Sequence, residues 1–570
     1  MPGCRSSHIS AVFLLAAVEF ISAAGLAKAA SDPVEGRPNI LLLVAEDMSS
    51  RVGAFGDAVA RTPNLDRLAN QGSRYTQAFT TAGVCSPSRA SLLTGMHAIS
   101  IGGQHMRAAS RPGGGYVTVP PPGVKAFPEF LRRAGYFTFT DAKLDYQFSG
   151  VAAGSGPSTI WNTEWSGPPW EDEGETPTPF FGLINFQETH ETGIFTPLGL
   201  GWPNSFMHLI VQVARAWLFG ITGNDGPVKA ADVELPPYYV DTPIVRDDIA
   251  RHYNNIYRMD QRVGKILLGL EEAGLAETTI VVWTTDHGDG LPRAKRELYD
   301  SGLRVPMIIR WPERFRPQGM EPGSVEARLV SFVDLAPAIL AWAGVDKPAN
   351  MQGRDFSSPG AVQREFIYAS RDRIDEFEDR ERAVRDNEYK YIRSWYPDKP
   401  TGHPLAFRDN LEMMIEMWSL LETGRLNSDQ RVWFENTGTE RLYHLPRDPH
   451  ELRNLVADPE HEAELERMRA AYSSFAERVE DWSQESEGAM VARMWPDGEQ
   501  PRAEPPVIES RKDLVTLRSP TPGASFAYRL NDEAERVYEA PFRAESGNEI
   551  RARAIRYGYL ESDETRTVLP

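Results

Sequence analysis

Cys85 begins the stretch of this chain whose residue types best suit covalent chemistry, Cys85–Gly95 (CSPSRASLLTG). Ser86-Pro87 is typical of a helix start, the residues up to Thr94 favour a helix, and Gly95 is typical of a helix end. The sequence therefore predicts a short helix with Cys85 in its first turn. Because a helix N-terminus offers free N–H groups and the positive end of the helix dipole, we expect Cys85 to face an anionic group.

Two acidic pairs follow two apolar runs of the kind that form strands buried on both faces of a sheet. Asn39–Ala45 (NILLLVA) is followed by Glu46-Asp47, and Ile280–Thr285 (IVVWTT) is followed by Asp286-His287. In an open α/β sheet the carboxyl ends of the strands are where sites form. The two pairs are therefore expected to meet at one edge of the sheet.

Helical segments separate these strands. They are predicted at 63–71, at 124–134 and, as one long helix, at about 246–273. An alternation of strands and helices predicts an α/β fold with a doubly wound, mostly parallel sheet.

The cysteine count bears on where the protein works. The chain has two cysteines, Cys4 and Cys85. Residues 1–30 have the features of a secretory signal peptide: Arg5 near the start, an apolar stretch, and Ala27-Lys28-Ala29 as a cleavage site. Cleavage would leave Cys85 as the sole thiol of an exported protein, which needs an explanation in an oxidising compartment. Because the sequence has no N-x-S/T sequon, we expect a bacterial periplasmic or secreted protein.

Composition limits the class of partner. The chain has 570 residues and a formal net charge of −19, with 41% hydrophobic and 25% charged residues. It is long enough for more than one domain. Such an acidic chain is a poor non-specific binder of nucleic acid, so an anionic substrate requires a local basic pocket. After the signal region there is no apolar run of about 18 residues, so no stable membrane span is expected.

The run C-x-P-S-R followed by L-L-T-G, here Cys85–Gly95, resembles the signature of the type I sulfatases. The similarity extends over about residues 37–485 and is greatest to the heparan N-sulfatase (sulfamidase) branch and its bacterial relatives. It implies an alkaline-phosphatase-like fold and oxidation of Cys85 to formylglycine. One hydroxyl of the hydrated aldehyde attacks sulfur, and the second then expels sulfate.

The resemblance also implies one divalent metal ion. Its ligands would be Glu46, Asp47, Asp286 and His287, together with the formylglycine at position 85. The family's first pair is commonly Asp-Asp, and its last position is often Asn, so this chain departs from the pattern twice. Because oxygen ligands dominate, calcium or magnesium is favoured, and we expect Ca²⁺.

Four basic residues match positions that surround the sulfate in the family: Arg89, Lys143, His190 and Lys295. Their implied roles are to bind sulfate and to handle protons, with Lys295 protonating the departing alcohol. The family's G-K-x-H segment lacks its histidine here, because Asp145 stands at that position. The base for sulfate release is therefore left open.

The chain divides into a signal peptide and three predicted units. These are the signal peptide (1–30), a catalytic domain (37–350), a C-terminal α+β subdomain (360–490) and a small β-sandwich module (507–570). The β-sandwich module is expected either to bind glycan or only to pack against the rest of the protein. Tyr443–Glu451 (YHLPRDPHE) resembles a segment of the sulfatase C-terminal subdomain. Arg371 and Arg373 are expected either to contact an acidic sugar or to form a surface ion network.

Two further features have structural interpretations. Asp260 lies in the apolar stripe of the long helix and is expected to be a satisfied structural acid. The apolar stretch Phe206–Ile221 is predicted to be a packed amphipathic helix, with a lid or a membrane-surface helix as alternatives.

The resemblance implies a hydrolase that removes sulfate, as an O-ester or an N-sulfamate, from sulfated polysaccharides or their fragments. It also implies a maturation partner, either a formylglycine-generating enzyme or an anaerobic sulfatase-maturing enzyme. Two alternatives remain. One is a phosphonate monoester or phosphodiester hydrolase with the same nucleophile, and the other is a sulfoglycan-binding protein without turnover.

Overall fold

The computed structural model describes residues 36–108, 111, 114–148, 156–172, 174–219 and 225–570. The signal peptide predicted at 1–30 lies outside this range. A nine-stranded sheet forms the centre of the molecule. Its strands are β1 (Asn39–Ala45), β2 (Ser73–Phe79), β3 (Phe137–Thr140), β4 (Thr163–Glu164), β5 (Phe180–Phe186), β6 (Thr279–Thr285), β7 (Arg304–Arg310), β8 (Val325–Glu326) and β9 (Val330–Ser331).

The order of the central sheet is β4-β3-β5-β1-β6-β7-β2-β8, with β9 also paired to β2. Strand β1 is parallel to both β5 and β6, whereas β7 is antiparallel to both of its neighbours. The buried side chains of β1 alternate between two apolar cores, because Leu41 and Leu43 join one and Ile40 and Leu42 join the other. The prediction of a strand buried on both faces of a doubly wound sheet is confirmed.

Eleven helices lie in the described chain. They are α1 (Pro63–Gln71), α2 (Cys85–Thr94), α3 (Phe127–Arg133), α4 (Phe206–Phe219), α5 (Pro243–Glu272), α6 (Asp300–Leu303), α7 (Leu335–Trp342), α8 (Glu412–Glu422), α9 (Ser428–Arg431), α10 (Glu462–Arg478) and α11 (Glu487–Met494). Helix α3 is shorter than predicted and starts next to Pro128, which has no N–H to donate. Helix α5 starts earlier than predicted, where the Thr242 hydroxyl accepts a bond from the amide of Val245.

A second, antiparallel sheet follows in the order β10-β11-β12-β13. Its strands are β10 (Ile367–Arg371), β11 (Glu381–Arg385), β12 (Tyr389–Ser394) and β13 (Glu440–His444). Residues of helix α10, among them Leu465 and Met468, share an apolar cluster with Val384 and Tyr391 of this sheet. This is the α+β subdomain that the sequence predicts.

The C-terminal residues form two small antiparallel sheets, β14-β15-β18 and β17-β16-β19-β20. The strands are β14 (Val507–Arg511), β15 (Leu514–Arg518), β16 (Ser525–Leu530), β17 (Arg536–Val537), β18 (Phe542–Arg543), β19 (Glu549–Ile555) and β20 (Thr565–Val568). Buried Glu129 of the catalytic domain joins them to the body, because it accepts hydrogen bonds from Tyr557 and Ser525. Burial raises the pKa of Glu129, but Lys125, Arg133 and the hydroxyl groups of Ser525 and Thr159 lower it to about 2. A buried carboxylate so satisfied fixes the module against the catalytic domain.

Helix α4 buries polar side chains and exposes apolar ones, unlike an ordinary amphipathic helix. His208, Gln212 and Arg215 are buried, and Gln212 and Arg215 donate to carbonyls in the segment that follows β5. Phe206 and Trp217 are 77% and 84% exposed. The helix is packed, as predicted, but polar side chains that bind the backbone hold it in place, and its apolar face is exposed. Within the described ranges, no helix is both long and apolar enough to span a bilayer.

Candidate active site and metal centre

The sheet register brings the two acidic pairs together. Ala45 is the register partner of Thr285, so Glu46-Asp47 and Asp286-His287 leave adjacent strands at the same edge. The amide of Asp286 donates to the carbonyl of Ala45, and the amide of Asp47 donates to Asp286 Oδ1 at 3.0 Å. Asp47 has φ 51°, a left-handed conformation that turns its side chain out of the strand direction.

Helix α2 begins at Cys85, as predicted, and ends at Gly95 with φ 65°. The Cys85 thiol is fully buried. It lies 3.4 Å from Nε2 of His287 and 3.8 Å from Oδ1 of Asp47. The helix N-terminus and the two strand ends therefore meet at one point.

Five of the predicted metal ligands form two overlapping donor groups. One is Asp47, Cys85, Asp286 and His287, and the other joins Glu46, Asp47 and Cys85 with His190; in each, the donor atoms lie within 4.8 Å of one another. Oε1 of Glu46 is buried and has no hydrogen-bond partner in the described part of the chain. An orphaned carboxylate oxygen in an oxygen-rich cluster fits a hard divalent cation.

The electrostatic surroundings of His287 also favour a cation at this site. Burial lowers the pKa of His287, but the negative charges of Asp286, Cys85 and Asp47 outweigh it and raise the pKa to about 10. Nε2 of His287 lies 3.0 Å from Oδ1 of Asp47. The surrounding carboxylates therefore favour a positive charge at this place, which a metal ion would supply in exchange for the proton.

The four predicted basic residues surround the same point. Lys143 Nζ lies 2.8 Å from Oε2 of Glu46, and Lys295 Nζ lies 2.6 Å from Oδ2 of Asp47. Arg89, one helical turn after Cys85, lies 3.1 Å from Oδ2 of Asp286. Each of these cations is thus held by a carboxylate of the candidate metal site.

His190 follows β5 and stands at the mouth of this pocket, with 15% of its side chain exposed. Its Nε2 lies 3.4 Å from Nζ of Lys295. Burial and the charge of Lys295 lower the pKa of His190 well below its usual value, although Asp47 acts in the opposite sense. His190 is therefore neutral at physiological pH and can give or take a hydrogen bond at the mouth.

Sequence reasoning missed Arg107. Its side chain is 35% exposed, and Nε lies 3.9 Å from Oδ2 of Asp145, the residue at the position of the missing histidine. Burial lowers the pKa of Arg107, but Asp145, Cys85, Asp375 and Glu46 raise it above its ordinary value. Arg107 is thus a partly exposed cation beside the pocket. No motif marks it, because its place depends on the packing of a loop.

Glu191 and Arg296 were also missed. Arg296 donates through both terminal nitrogens to Glu191, and Lys295 lies 3.2 Å from the same carboxylate. The two residues flank His190 and Lys295 in the sequence, so adjacency to the predicted site residues was the signal available. Their ion pair fixes the backbone on both sides of the pocket.

Arg371 and Arg373 form buried ion pairs. Arg371 is buried against Glu297, at 2.6 Å, and Asp379, and Arg373 forms two bonds with Glu487. Both arginines form an ion network, as one of the two alternatives predicted, but this network is buried because carboxylates distant in the sequence enclose both guanidinium groups.

Asp260 is a structural residue, as predicted. Its carboxylate accepts from the amides of Asn64 and Leu65 at the start of α1. It therefore satisfies free N–H groups at that helix N-terminus and takes no part in the pocket.

Comparison with known proteins gives matches over most of the chain. The sulfatase family model matches residues 38–345, and the model described as N-sulphoglucosamine sulphohydrolase, C-terminal, matches residues 293–402. An ulvan-active sulfatase of Formosa agariphila is 34% identical, covering 92% of this chain and 90% of that protein. Human N-sulphoglucosamine sulphohydrolase is 25% identical, covering 80% and 94% respectively.

Solved structures share the fold. A 2-O GAG sulfatase superposes with a TM-score of 0.55 at 19% identity, covering 79% of this chain and 94% of that chain. The fold of this chain is therefore shared with a sulfatase of known structure.

Proposed function

Because the chain belongs to the sulfatase family, in a branch related to the sulfamidases, we propose that it removes sulfate from sulfated polysaccharides or their oligosaccharides, with Cys85 as the precursor of its nucleophile. The chain is a sulfatase. We further propose that Cys85 becomes formylglycine, that a metal ion binds beside it and that the substrate is a glycan. The ulvan-active relative makes ulvan the first substrate to test.

One observation carries the proposal. Cys85 lies at the N-terminus of a helix, in contact with His287 and Asp47, and is enclosed by Arg89, Lys143 and Lys295. A nucleophile that attacks a sulfate ester must approach an anion, and this group of cations compensates that charge. In a chain of net charge −19, such a pocket is the local basic site that an anionic substrate needs.

The residues fit a divalent cation held by Glu46, Asp47, Asp286 and His287 beside position 85. When bound, the cation would polarise the sulfate group as a Lewis acid. Formylglycine at position 85 would supply a hydrated aldehyde as the nucleophile.

The chain's own side chains orient the substrate and handle protons. Lys143 and Lys295 now neutralise Glu46 and Asp47, so their ammonium groups are positioned to donate to sulfate oxygens. Burial lowers the pKa of Lys295, but Asp47, Cys85 and Glu191 raise it above its usual value, which keeps the proton on Lys295. Lys295 can then protonate the departing oxygen, while neutral His190 and partly exposed Arg107 orient the substrate at the mouth.

The biological setting is part of the proposal. Export by a signal peptide would place the enzyme in the periplasm or outside the cell, where sulfated polysaccharides occur. Conversion of Cys85 would require a maturing enzyme that reads the C-x-P-S-R segment before folding buries the thiol.

The test is release of sulfate from defined substrates. Protein made with a maturation enzyme is offered ulvan oligosaccharides, an N-sulfated glucosamine and a phenylphosphonate monoester, with Cys85→Ala as control. We expect sulfate release from a sulfated sugar by the native protein alone. Equal activity of the control, or turnover of the phosphonate ester in preference to every sulfated sugar, contradicts the proposal.

A further inference from the structure

A second basic site lies at the other end of helix α2, away from Cys85. A cleft of about 520 Å³ opens between β10, the last turns of α10 and the loop that follows α7. Gln352, which lines it, is bonded to the helix end, because its amide donates to the carbonyl of Gly95. Ten helical residues, about 15 Å, separate this end from Cys85. The cleft is therefore distinct from the catalytic pocket.

Three arginines line this cleft: Arg354, Arg364 and Arg478. Arg364 is held by both oxygens of Asp334. Arg354 and Arg478 donate to the backbone carbonyls of Val362 and Ser474, and in the described part of the chain neither lies within 4.0 Å of a carboxylate. Two guanidinium groups are therefore without a charge partner in a strongly acidic protein.

The arginines are close enough to repel one another. Burial and the charges of Arg364 and Arg478 lower the pKa of Arg354, while Asp334 acts in the opposite sense. A bound anion would offset the repulsion that Arg354 experiences. Glu365 also lines the cleft, so Asp334 and Glu365 together leave one of the three positive charges unbalanced.

The wall of the cleft is aromatic. Tyr368 stacks on Phe475 with ring centroids 4.2 Å apart, His97 packs edge-to-face on Phe475, and half-buried Phe366 also lines the space. Burial and the nearby Arg364 lower the pKa of His97 to about 3, so its ring is neutral and adds to the apolar wall. These rings form a rigid apolar wall beside the guanidinium groups, and arginine forks suit sulfate or carboxylate groups.

We propose that this cleft is a second binding site for a sulfated sugar chain, which holds a stretch of polymer away from the sulfate being cleaved. The choice of a sulfated glycan as ligand rests on the proposed function. The site would raise affinity for polymer without affecting the chemistry at Cys85, since holding one part of a chain raises the effective concentration of the rest.

The test uses the full-length Cys85→Ala protein and two probes, dextran sulfate and neutral dextran of the same length. The double variant Arg354→Gln/Arg478→Gln is compared with Arg511→Gln/Arg518→Gln, a matched loss of two exposed arginines in the C-terminal module. We expect the cleft variant to bind dextran sulfate at least about fivefold more weakly, the control to change less than about twofold, and neutral dextran to bind neither. Equal affinities of the two variants overturn the proposal.

Hydrogen exchange in a protein whose cleft is unchanged tests the proposal without depending on the folding of the cleft variant. Dextran sulfate should slow hydrogen exchange in residues 363–368 and 474–479 of the Cys85→Ala protein. Protection confined to the segments around Cys85 overturns the proposal. Hydrolysis of 4-nitrophenyl sulfate by the matured cleft variant separates the two claims. If neither the native protein nor the cleft variant hydrolyses this ester, the proposed function is contradicted. If the cleft variant binds dextran sulfate as tightly as the control variant does, the second site is contradicted.

Discussion

Lys295 and His287 bind opposite oxygens of one carboxylate, that of Asp47. Nζ of Lys295 lies 2.6 Å from Oδ2, and Nε2 of His287 lies 3.0 Å from Oδ1. Asp47 therefore joins the proposed metal site to the proposed proton donor. A cation that binds Asp47 would weaken its hold on the ammonium group and leave that group to serve the substrate.

The first prediction concerns Lys295 as the acid for the departing oxygen. Lys295→Met should lower kcat by about 10²-fold or more on an alkyl sulfate, which needs a proton on its leaving oxygen. The loss should be much smaller on 4-nitrophenyl sulfate, because that leaving group is stable as an anion. Steady-state kinetics on both esters, with thermal unfolding as a folding control, measure the difference. Equal losses on the two esters would contradict the role of acid.

The second prediction concerns Glu46, whose Oε1 has no hydrogen-bond partner in the described part of the chain and whose Oε2 binds Lys143. Glu46→Gln should weaken divalent metal binding about tenfold or more, whereas Glu46→Asp should retain part of it, because only the second keeps a charged oxygen donor. Titration of chelator-treated protein with Ca²⁺, followed by the midpoint of thermal unfolding, reports the affinity. An identical response of Glu46→Gln and native protein would remove Glu46 from the metal site.

The third prediction concerns Arg107 at the pocket mouth. Arg107→Gln should raise KM about tenfold for oligosaccharides with a second anionic group, and leave kcat on 4-nitrophenyl sulfate within about threefold. Asp145→Asn is the matched control, since it removes the carboxylate 3.9 Å from Arg107 and keeps the guanidinium. If both variants raise KM equally, the ion pair has a structural role and Arg107 does not contact the substrate.

The fourth prediction concerns pH and His97. Its pKa is about 3 in the folded protein, because burial and Arg364 lower it, and about 6.5 in the unfolded chain. Between these values the unfolded chain binds a proton that the folded protein does not. The free energy of unfolding therefore falls as pH drops below 6.5, by up to about 1.4 kcal/mol per pH unit from this group.

His97→Phe keeps an aromatic ring against Phe475 and removes the titration. Urea denaturation at pH 7 and pH 4.5 should show a smaller loss of stability in the variant than in the native protein. Parallel losses would show that another group accounts for the acid sensitivity.

Local patterns predicted the parts of the site that depend on strand ends and helix caps. The apolar runs before Glu46 and Asp286 indicated buried strands, and adjacent parallel strands must bring the following residues together. The Ser86-Pro87 start and the Gly95 stop likewise predicted helix α2. These features depend on residues close in sequence.

What the sequence did not predict depends on tertiary contacts. The apolar face of α4 was visible in the sequence, but its direction was not, because the buried polar anchors bind backbone carbonyls elsewhere. Arg371 was misplaced since its partner Glu297 is 74 residues away in the chain. Arg107 carries no motif, and only packing brings it to the pocket.

Formylglycine at position 85 is the central claim, and the mass of one tryptic peptide tests it most directly. The peptide is Tyr75–Arg89, taken from protein made in a host that converts a known sulfatase. Loss of one sulfur and two hydrogens with gain of one oxygen is the predicted result. An intact thiol at Cys85 in that host would contradict the account, because the pocket would then hold no nucleophile able to release sulfate.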